Sequence, residues 1–367
     1  MKTAKEVRKN DHGLKNDHGL LANLTLLIIS TVFALLFCEA AFRLLGWSPM
    51  YVSSERDRFW KYDSLLGWAH QPGQENLFKT KQFQTNVHIN QKGLRDREHS
   101  YERTNNTRRI LVIGDSFAWG YGVEEDQRFS SLLETTLGVE VINAGVSGYS
   151  TDQELIWFRK EGIKYDVDLV ILVFSGNDVG DNHRQLVNTI YYKPQFVLEE
   201  DQQPILTGYP VPKTSTQGKL IYSISQRSAL AYFLIQRYFN LLSIYGNFKG
   251  NSGVANSQMT VANSSRESFD LTIALLGEMR KITGSKEAKF MIVATDRWWN
   301  SPPGVTYNDF IDKLKDEGFL VLDVESIPGF DPETMNIPDD GHWNQEGHEF
   351  VGIKIKDFIQ INQLLGE

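Results

Sequence analysis

Cysteine is nearly missing from this chain: Cys38 is the only one in 367 residues, and none follows it. Everything C-terminal to that position is closed to disulfide stapling. Roughly three hundred residues must instead bury a core of their own, which a chain of that length can do. Also missing is any group of His, Cys and carboxylates at metal-ligand spacing, so neither a metal nor another cofactor is expected. Bases are in deficit, 38 Lys and Arg against 46 Asp and Glu, for a net charge of −8. Residues 1–38 carry five bases and three acids, a surplus of two that leaves −10 for the remainder. That acidity excludes nucleic acid as an expected partner.

Charge disappears altogether from Leu20 to Cys38, nineteen residues dominated by Leu, Ile, Val and Phe. At ~1.5 Å per residue, such a helix nearly crosses a ~30 Å hydrocarbon core. A core helix of a soluble protein would show a polar stripe at this length, so residues 20–38 read as a transmembrane helix. Lys2, Lys5, Arg8, Lys9 and Lys15 precede it, whereas only Arg43, Arg56 and Arg58 follow within twenty residues. The positive-inside rule leaves the N-terminus in the cytoplasm and exports the rest to the periplasm or cell exterior. A cleaved signal peptide would cut near Ala40, but the apolar run is longer than most signal cores and Glu39 sits badly there. A lipidated Cys38 would follow the bulky Phe37. An uncleaved signal anchor is therefore expected. Residues 1–19, with Lys9–Leu14 repeated as Lys15–Leu20, read as a disordered cytosolic tail.

What the exported part does contain is a set of short polar strings, each after an apolar run. Ile110-Leu111-Val112-Ile113 reads as a buried parallel strand and leads into Gly114-Asp115-Ser116-Phe117. Ser116 thus falls at a strand's C-terminal end, near the N-terminus of a helix whose amides favour negative charge. Near the C-terminus Asp339-Asp340-Gly341-His342 follows another strand, at 319–324, and places a carboxylate, Asp339, three residues before an imidazole. A serine hydroxyl needs a base to take its proton and a third group to orient that base. Ser116, His342 and Asp339 supply the three. Two further strings end apolar runs: Asn143-Ala144-Gly145 and Ser175-Gly176-Asn177-Asp178. Ser116 N–H, Gly145 N–H and the Asn177 amide are candidate donors to the oxyanion of acyl transfer.

Each of these residues also has a plainer role open to it. Ser116 suits a helix N-cap, Gly145 a turn, and Asn177 and Asp178 the end of a strand. Asp115 reads as structural, bonding nearby backbone amides. His183 and His348 compete with His342, but neither has an acid three residues before it. His12, His18, His70, His88 and His99 read as surface or packing residues.

In these four blocks, in this order, the chain resembles the SGNH (GDSL-type) hydrolases: Gly114 to Gly120 around Ser116, then Gly145, then Gly176-Asn177-Asp178, then Asp339-x-x-His342. The likeness spans about residues 60–362, since Asn90-Gln91-Lys92-Gly93-Leu94-Arg95-Asp96 also resembles a lead-in of membrane-anchored members. It implies a three-layer α/β/α, flavodoxin-like fold of about five parallel strands. The implied chemistry belongs to lipases, esterases, deacetylases and some O-acyltransferases.

Strand-like runs at 110–113, 139–142, 169–174, 289–294 and 319–323 alternate with helical spacing at 125–137, 151–161, 266–283, 307–317 and 347–360. Such alternation itself implies a parallel sheet with ligands at its C-terminal edge. Residues 39–108 read as an extended lead-in and 109–362 as the hydrolase domain, interrupted by an insertion at about 183–265. Gln217–Leu242 within it is apolar and aromatic, and reads first as a helix packed on the core, then as a lid, an acceptor surface or a bilayer-resting element. Phe117, Trp119, Tyr121, Tyr149, Trp298, Trp299 and Trp343 cluster near the blocks as rim or core aromatics.

The expected function is a membrane-anchored serine esterase or deacylase working through an acyl-enzyme on Ser116, with an acyl ester, such as an acylated glycan, as substrate. The alternatives are an O-acyltransferase acting on an exported polysaccharide, served by a membrane acyl-donor partner, and a non-catalytic glycan-binding scaffold.

Overall fold

The computed structural model describes residues 4–45, 58–103, 106–187, 191–225, 227–235, 237–238, 265–297, 299 and 305–366. Residues 46–57 of the lead-in, 239–264 of the insertion, and Trp298 lie outside the described residues. The chain divides into two compact units, one of residues 1–51 with 216–245, the other of 52–215 with 246–367.

The second unit is built on a five-stranded sheet. Its strands are β5 (Arg109–Gly114), β6 (Glu140–Asn143), β7 (Leu169–Ser175), β12 (Lys289–Thr295) and β13 (Val321–Asp323). They lie in the order β13-β12-β7-β5-β6, all parallel. Continuous apolar runs suit strands covered on both faces, and every residue of β5 and β7 is buried. Alternate side chains serve opposite layers. Leu111, Ile113, Leu172 and Ile292 join one core with α7 (Ser265–Ser285) and α8 (Tyr307–Asp316). Ile110, Val112, Ile171 and Val293 join the other with α3 (Phe129–Leu137) and α10 (Gln345–Ile361). This is the three-layer α/β/α arrangement expected. Because the chain runs from β5 to β6 on one side and then crosses to β7 on the other, the strand order reverses at β5. Ligands bind at the carboxyl edge of such a switch point.

The lead-in folds into two antiparallel hairpins, β1 (Trp60–Asp63) with β2 (Gly67–His70) and β3 (Glu75–Lys79) with β4 (Gln84–His88). Phe59, Trp68, Phe78 and Val87 anchor them in the core of the sheet's α7 side. The first part of the insertion is also hairpin: β8 (Leu186–Val187) with β9 (Tyr191–Tyr192), and β10 (Gln195–Leu198) with β11 (Pro204–Thr207).

In the first unit, α1 runs unbroken from Ala4 to Leu44. The helix thus begins well before the apolar run, where a disordered tail was expected. No proline interrupts residues 4–44, and a helix once nucleated propagates through Ala, Lys, Glu and Leu at little cost. Its segment Leu20–Leu44, 25 residues, is long and apolar enough to cross a membrane and is unburied. With it belong α6 (Thr216–Ser225) and a helical stretch from Ala229 to Ile235. This part of the insertion, expected first as a helix packed on the hydrolase core, falls in one compact unit with α1. The Glu39 carboxylate accepts from the amides of Ala229 and Leu230 at 3.0 Å each, and from Ser228 Oγ at 2.8 Å. It fills the role of an N-cap for a helix start that lacks an acid of its own.

Candidate active site

β5 ends at Gly114, and the chain turns at once into α2 (Ser116–Trp119). A side chain at Gly114 would meet Ala118 Cβ at 2.8 Å and Val173 Cβ at 2.9 Å, so only glycine lets the turn close this tightly. Asp115 caps the helix, its Oδ1 accepting from Phe117 N–H at 2.9 Å, the bracing role that its position suggests. Burial pushes its pKa up, against the pull of that hydrogen bond and of Ser175.

Ser116 and His342, 226 residues apart in sequence, meet here: Ser116 Oγ lies 2.7 Å from His342 Nε2. Ser116 is 7% and His342 9% exposed, so the pair is almost closed to bulk water. Tyr121 stacks on the imidazole at 4.2 Å, and Phe117 tilts against it at 5.1 Å. His342 Nδ1 bonds the carboxylate of Asp340. With Nδ1–H donating to Asp340, Nε2 is left as the acceptor for the serine proton.

The acid at this position is a correction. Asp339, three residues before His342, is exposed and sits at φ +59°. Asp340 N–H and Gly341 N–H both donate to Ile337 O, while Ile337 N–H donates to His342 O at 2.7 Å. This tight loop presents Asp340 to the ring and turns Asp339 away. Burial works to raise the pKa of Asp340, but the hydrogen bonds and charge of His342 hold it below the ordinary carboxylate value.

The three expected oxyanion donors fare differently. Gly145 N–H is taken by Asn143 Oδ1 at 3.0 Å. Its need for glycine is steric, since a Cβ there would lie 2.4 Å from Trp119 N and 2.6 Å from Ala118 C. Gly145 is thus the surface against which α2 packs. Asn177 donates through Nδ2 to Asp181 Oδ2 at 2.9 Å, leaving that amide a second N–H. Its Oδ1 lies 3.0 Å from Ser175 Oγ, which is 2.8 Å from Asp115 Oδ2. Asn177 is thereby linked to the residue before Ser116. Ser116 N–H stands at the start of α2.

Neither competing histidine reaches the serine. His348 is buried, stacked on Phe129 at 5.9 Å, and its pKa is lowered to about 3 by burial and then by the charges of Arg128 and Arg95. His183 is partly buried, with its pKa lowered chiefly by desolvation. Of the aromatics, Trp119, Tyr149 and Trp343 are core residues. Trp299 is half-buried against Tyr307 and Phe310.

Sequence reasoning missed the supports of this site. Arg95 lies 4.5 Å from the Trp119 ring and donates to the carbonyls of Trp119 (3.0 Å), Gly120 (2.6 Å) and Val123 (2.7 Å). Arg128 donates to Arg95 O and pairs with Asp96, 3.5 Å away. Asp96 in turn accepts from Asn143 N–H at 2.7 Å. The Asn90–Asp96 segment thus pins the loop that follows α2. A second buried group holds Asp152, Glu154 and Asp178 near Asp115. Lys193 pairs with Asp152 at 2.6 Å and donates to Ser150 Oγ and Asp181 O at 2.8 Å each. Burial raises Asp152 to about 6 and carries Glu154 and Asp178 well above the ordinary carboxylate range.

Residues 112–194 match the model of the GDSL-like Lipase/Acylhydrolase family. No curated protein matches the chain. Among solved structures, the chain is similar to a lipolytic protein of the G-D-S-L family from Desulfitobacterium hafniense, at 12% identity over 68% of this chain and 98% of that one, with a TM-score of 0.38. It is also similar to the psychrotrophic esterase EstA from Pseudoalteromonas sp., at 11% identity over 69% and 97%, with a TM-score of 0.35. A two-domain esterase active on acetylated mannans matches at 14% identity over 71% of this chain and 50% of its own length, with a TM-score of 0.38.

Proposed function

We propose that this chain is an ester hydrolase of the GDSL-like lipase/acylhydrolase type, the family whose model matches residues 112–194, with Ser116 as its nucleophile, His342 as its base and Asp340 as the residue that orients the base. The observation that carries this reading is the 2.7 Å contact between Ser116 Oγ and His342 Nε2, with Asp340 on the far nitrogen. His342 Nε2 takes the hydroxyl proton as Oγ attacks the acyl carbon, and the carbonyl oxygen becomes the oxyanion. Ser116 N–H and the second Asn177 N–H stabilise that charge, Gly145 N–H being held by Asn143. His342 then hands its proton to the departing alkoxide, leaving the acyl group on Ser116. A water then gives one proton to His342 as its oxygen attacks the acyl carbon; the Oγ–C bond breaks, His342 returns the proton to Ser116 Oγ, and the acid is released. Asp340 keeps Nδ1 protonated throughout and stabilises the imidazolium.

We further propose that the enzyme is anchored by α1, uncleaved, with its N-terminus cytoplasmic and its catalytic unit on the outer side. The basic residues before the span support the orientation. The bonds of Glu39 and Arg43 to residues 227–230 support retention of the helix, since cutting near Ala40 would remove the Glu39 cap. The same acyl-enzyme passes its acyl group to water in an esterase and to a sugar hydroxyl in a transferase.

The test is active-site labelling of the full-length protein with a serine-reactive phosphonate, beside hydrolysis of short acyl esters. Wild type is expected to label and Ser116→Ala and His342→Ala to be silent. Asp340→Asn is expected to lose ~10³–10⁴ in kcat, as when a triad acid is neutralised, with Asp339→Asn near wild type. Loss of activity in Asp339→Asn with Asp340→Asn unaffected would reverse the assignment of the acid. A folded wild type that neither labels nor hydrolyses any ester would sink the serine mechanism.

A further inference from the structure

Between Asp201 and Glu267 the chain contains six Lys or Arg and no Asp or Glu, although the whole protein carries 46 acids and a charge of −8. The described middle of this stretch, 216–238, belongs to the same compact unit as α1. Its link to α1 is specific: Glu39 caps the helical stretch at Ser228–Leu230, Arg43 donates to Arg227 O at 2.8 Å, and Phe42 lies 4.8 Å from Phe233. All three α1 residues lie in the last two turns of the apolar helix, where a spanning helix leaves the hydrocarbon.

The outer surface of this attachment is apolar. On α6, Leu220, Ile221 and Ile224 lie on one arc, with Leu220 60% and Ile224 47% exposed. On the second stretch Leu234 and Tyr238, one turn apart, are 54% and 58% exposed. Interleaved with them are Lys219, Arg227 and Arg237. Exposed apolar side chains at helical spacing, with bases and no acids among them, are the composition of an interfacial helix on an anionic bilayer.

Building on the reading of α1 as a membrane anchor, we propose that residues 216–238 form a second membrane contact, lying in the headgroup layer of the outer leaflet with their apolar arc toward the acyl chains and their bases on anionic lipid phosphates. The occupant of the apolar face is lipid, because the face is continuous with a helix end already at bilayer depth and its charge opposes that of anionic headgroups. The catalytic unit is then joined to the membrane at three points in sequence, after Tyr51 and on either side of the 216–245 excursion.

The experiment uses the full-length protein with Cys38→Ser and single reporters at Leu220→Cys, Leu234→Cys, Leu27→Cys on the anchor and Glu333→Cys on the hydrolase unit. Each carries a polarity-sensitive fluorophore in phosphatidylglycerol-containing vesicles with spin-labelled lipid as quencher. The expected result is loss of most emission at 27, 220 and 234 and none at 333, with quenching at 220 and 234 weakened in purely zwitterionic vesicles. Quenching at 27 with none at 220 or 234 overturns this proposal and leaves the anchor standing. No quenching at 27 removes the anchor itself, and the proposal with it. Blue-shifted, unquenched emission at 220 and 234 with cross-linking between copies assigns the face to a second copy and overturns the lipid contact.

Discussion

Around Arg95 and Arg128 the buried charges are matched, guanidinium against carboxylate and carbonyl oxygen, whereas Asp152, Glu154 and Asp178 share, among the described residues, the single ammonium of Lys193. In the first group Asp96 is held below its ordinary pKa: burial opposes ionisation, but His99, Arg128 and Asn143 N–H outweigh it. In the second, burial wins, and neither oxygen of Glu154 finds a hydrogen-bond partner. The same physics of desolvation thus leaves carboxylates with lowered pKa values in one place and raised ones in the other, the outcome set by how many donors face each carboxylate. The first group holds the loop after α2, and Asp115 is linked through Ser175 to Asn177.

The sharpest way to break this contrast is to remove one partner from the matched network. Arg128→Met strands the buried Asp96 carboxylate and should cost about 3–5 kcal/mol in a denaturant titration. The double variant Arg128→Met/Asp96→Asn should recover part of that loss. A single variant as stable as wild type would show that the pair is not what holds the loop.

Acid attacks the same network next. His348 and His70 have folded pKa values of about 3 and about 4, lowered first by burial. Their ordinary value is 6.5, so the folded state binds fewer protons than the unfolded between those limits. Stability from these two is complete above pH 6.5 and is lost as pH falls toward 3. At pH 4.5 the loss is about 2–3 kcal/mol for each. His348→Asn should flatten the dependence, read as the denaturant midpoint at pH 7 and 4.5.

The smallest effect probes the acid group. Burial carries the pKa of Glu154 well above the ordinary carboxylate range, so Glu154→Gln, which keeps the shape and removes the ionisable group, should have the smallest effect on stability at pH 7. Here the folded state binds protons that the unfolded chain releases above about pH 4, so wild-type stability from this group falls as pH rises through 6 and beyond. Glu154→Gln should therefore be the more stable chain at pH 9. A large loss at pH 7 would mean that Glu154 is ionised and paired.

Much of this architecture was legible in the residues. The runs at 110–113 and 169–174 could only be strands buried on both faces, and the helix spacings at 151–161 and 307–317 end within a residue of those observed. The same strings led to Ser116 and His342, because a polar residue at the end of a buried strand falls on the edge where the sheet opens. The supports were not legible. Arg95 and Arg128 look like surface charges until the fold buries them beside Trp119, and Lys193 reads as a turn residue until β9 and β10 bring it under Ser150.

The choice between Asp339 and Asp340 shows where the boundary lies. Residue order alone determined that an acid would stand within a turn of His342, that a buried strand would deliver Ser116, and that an uncharged helix would precede them all. Those are consequences of local pattern, of side-chain period and charge along the chain. Only the tertiary structure decided which acid faces the ring, that Gly145 N–H is held by Asn143, and that the apolar part of the insertion falls in one compact unit with α1. A carboxylate two or three residues from a histidine can reach it equally well. Here the selection rests on Asp339 at φ +59° and on two amides converging on Ile337 O, which is geometry that spacing does not encode.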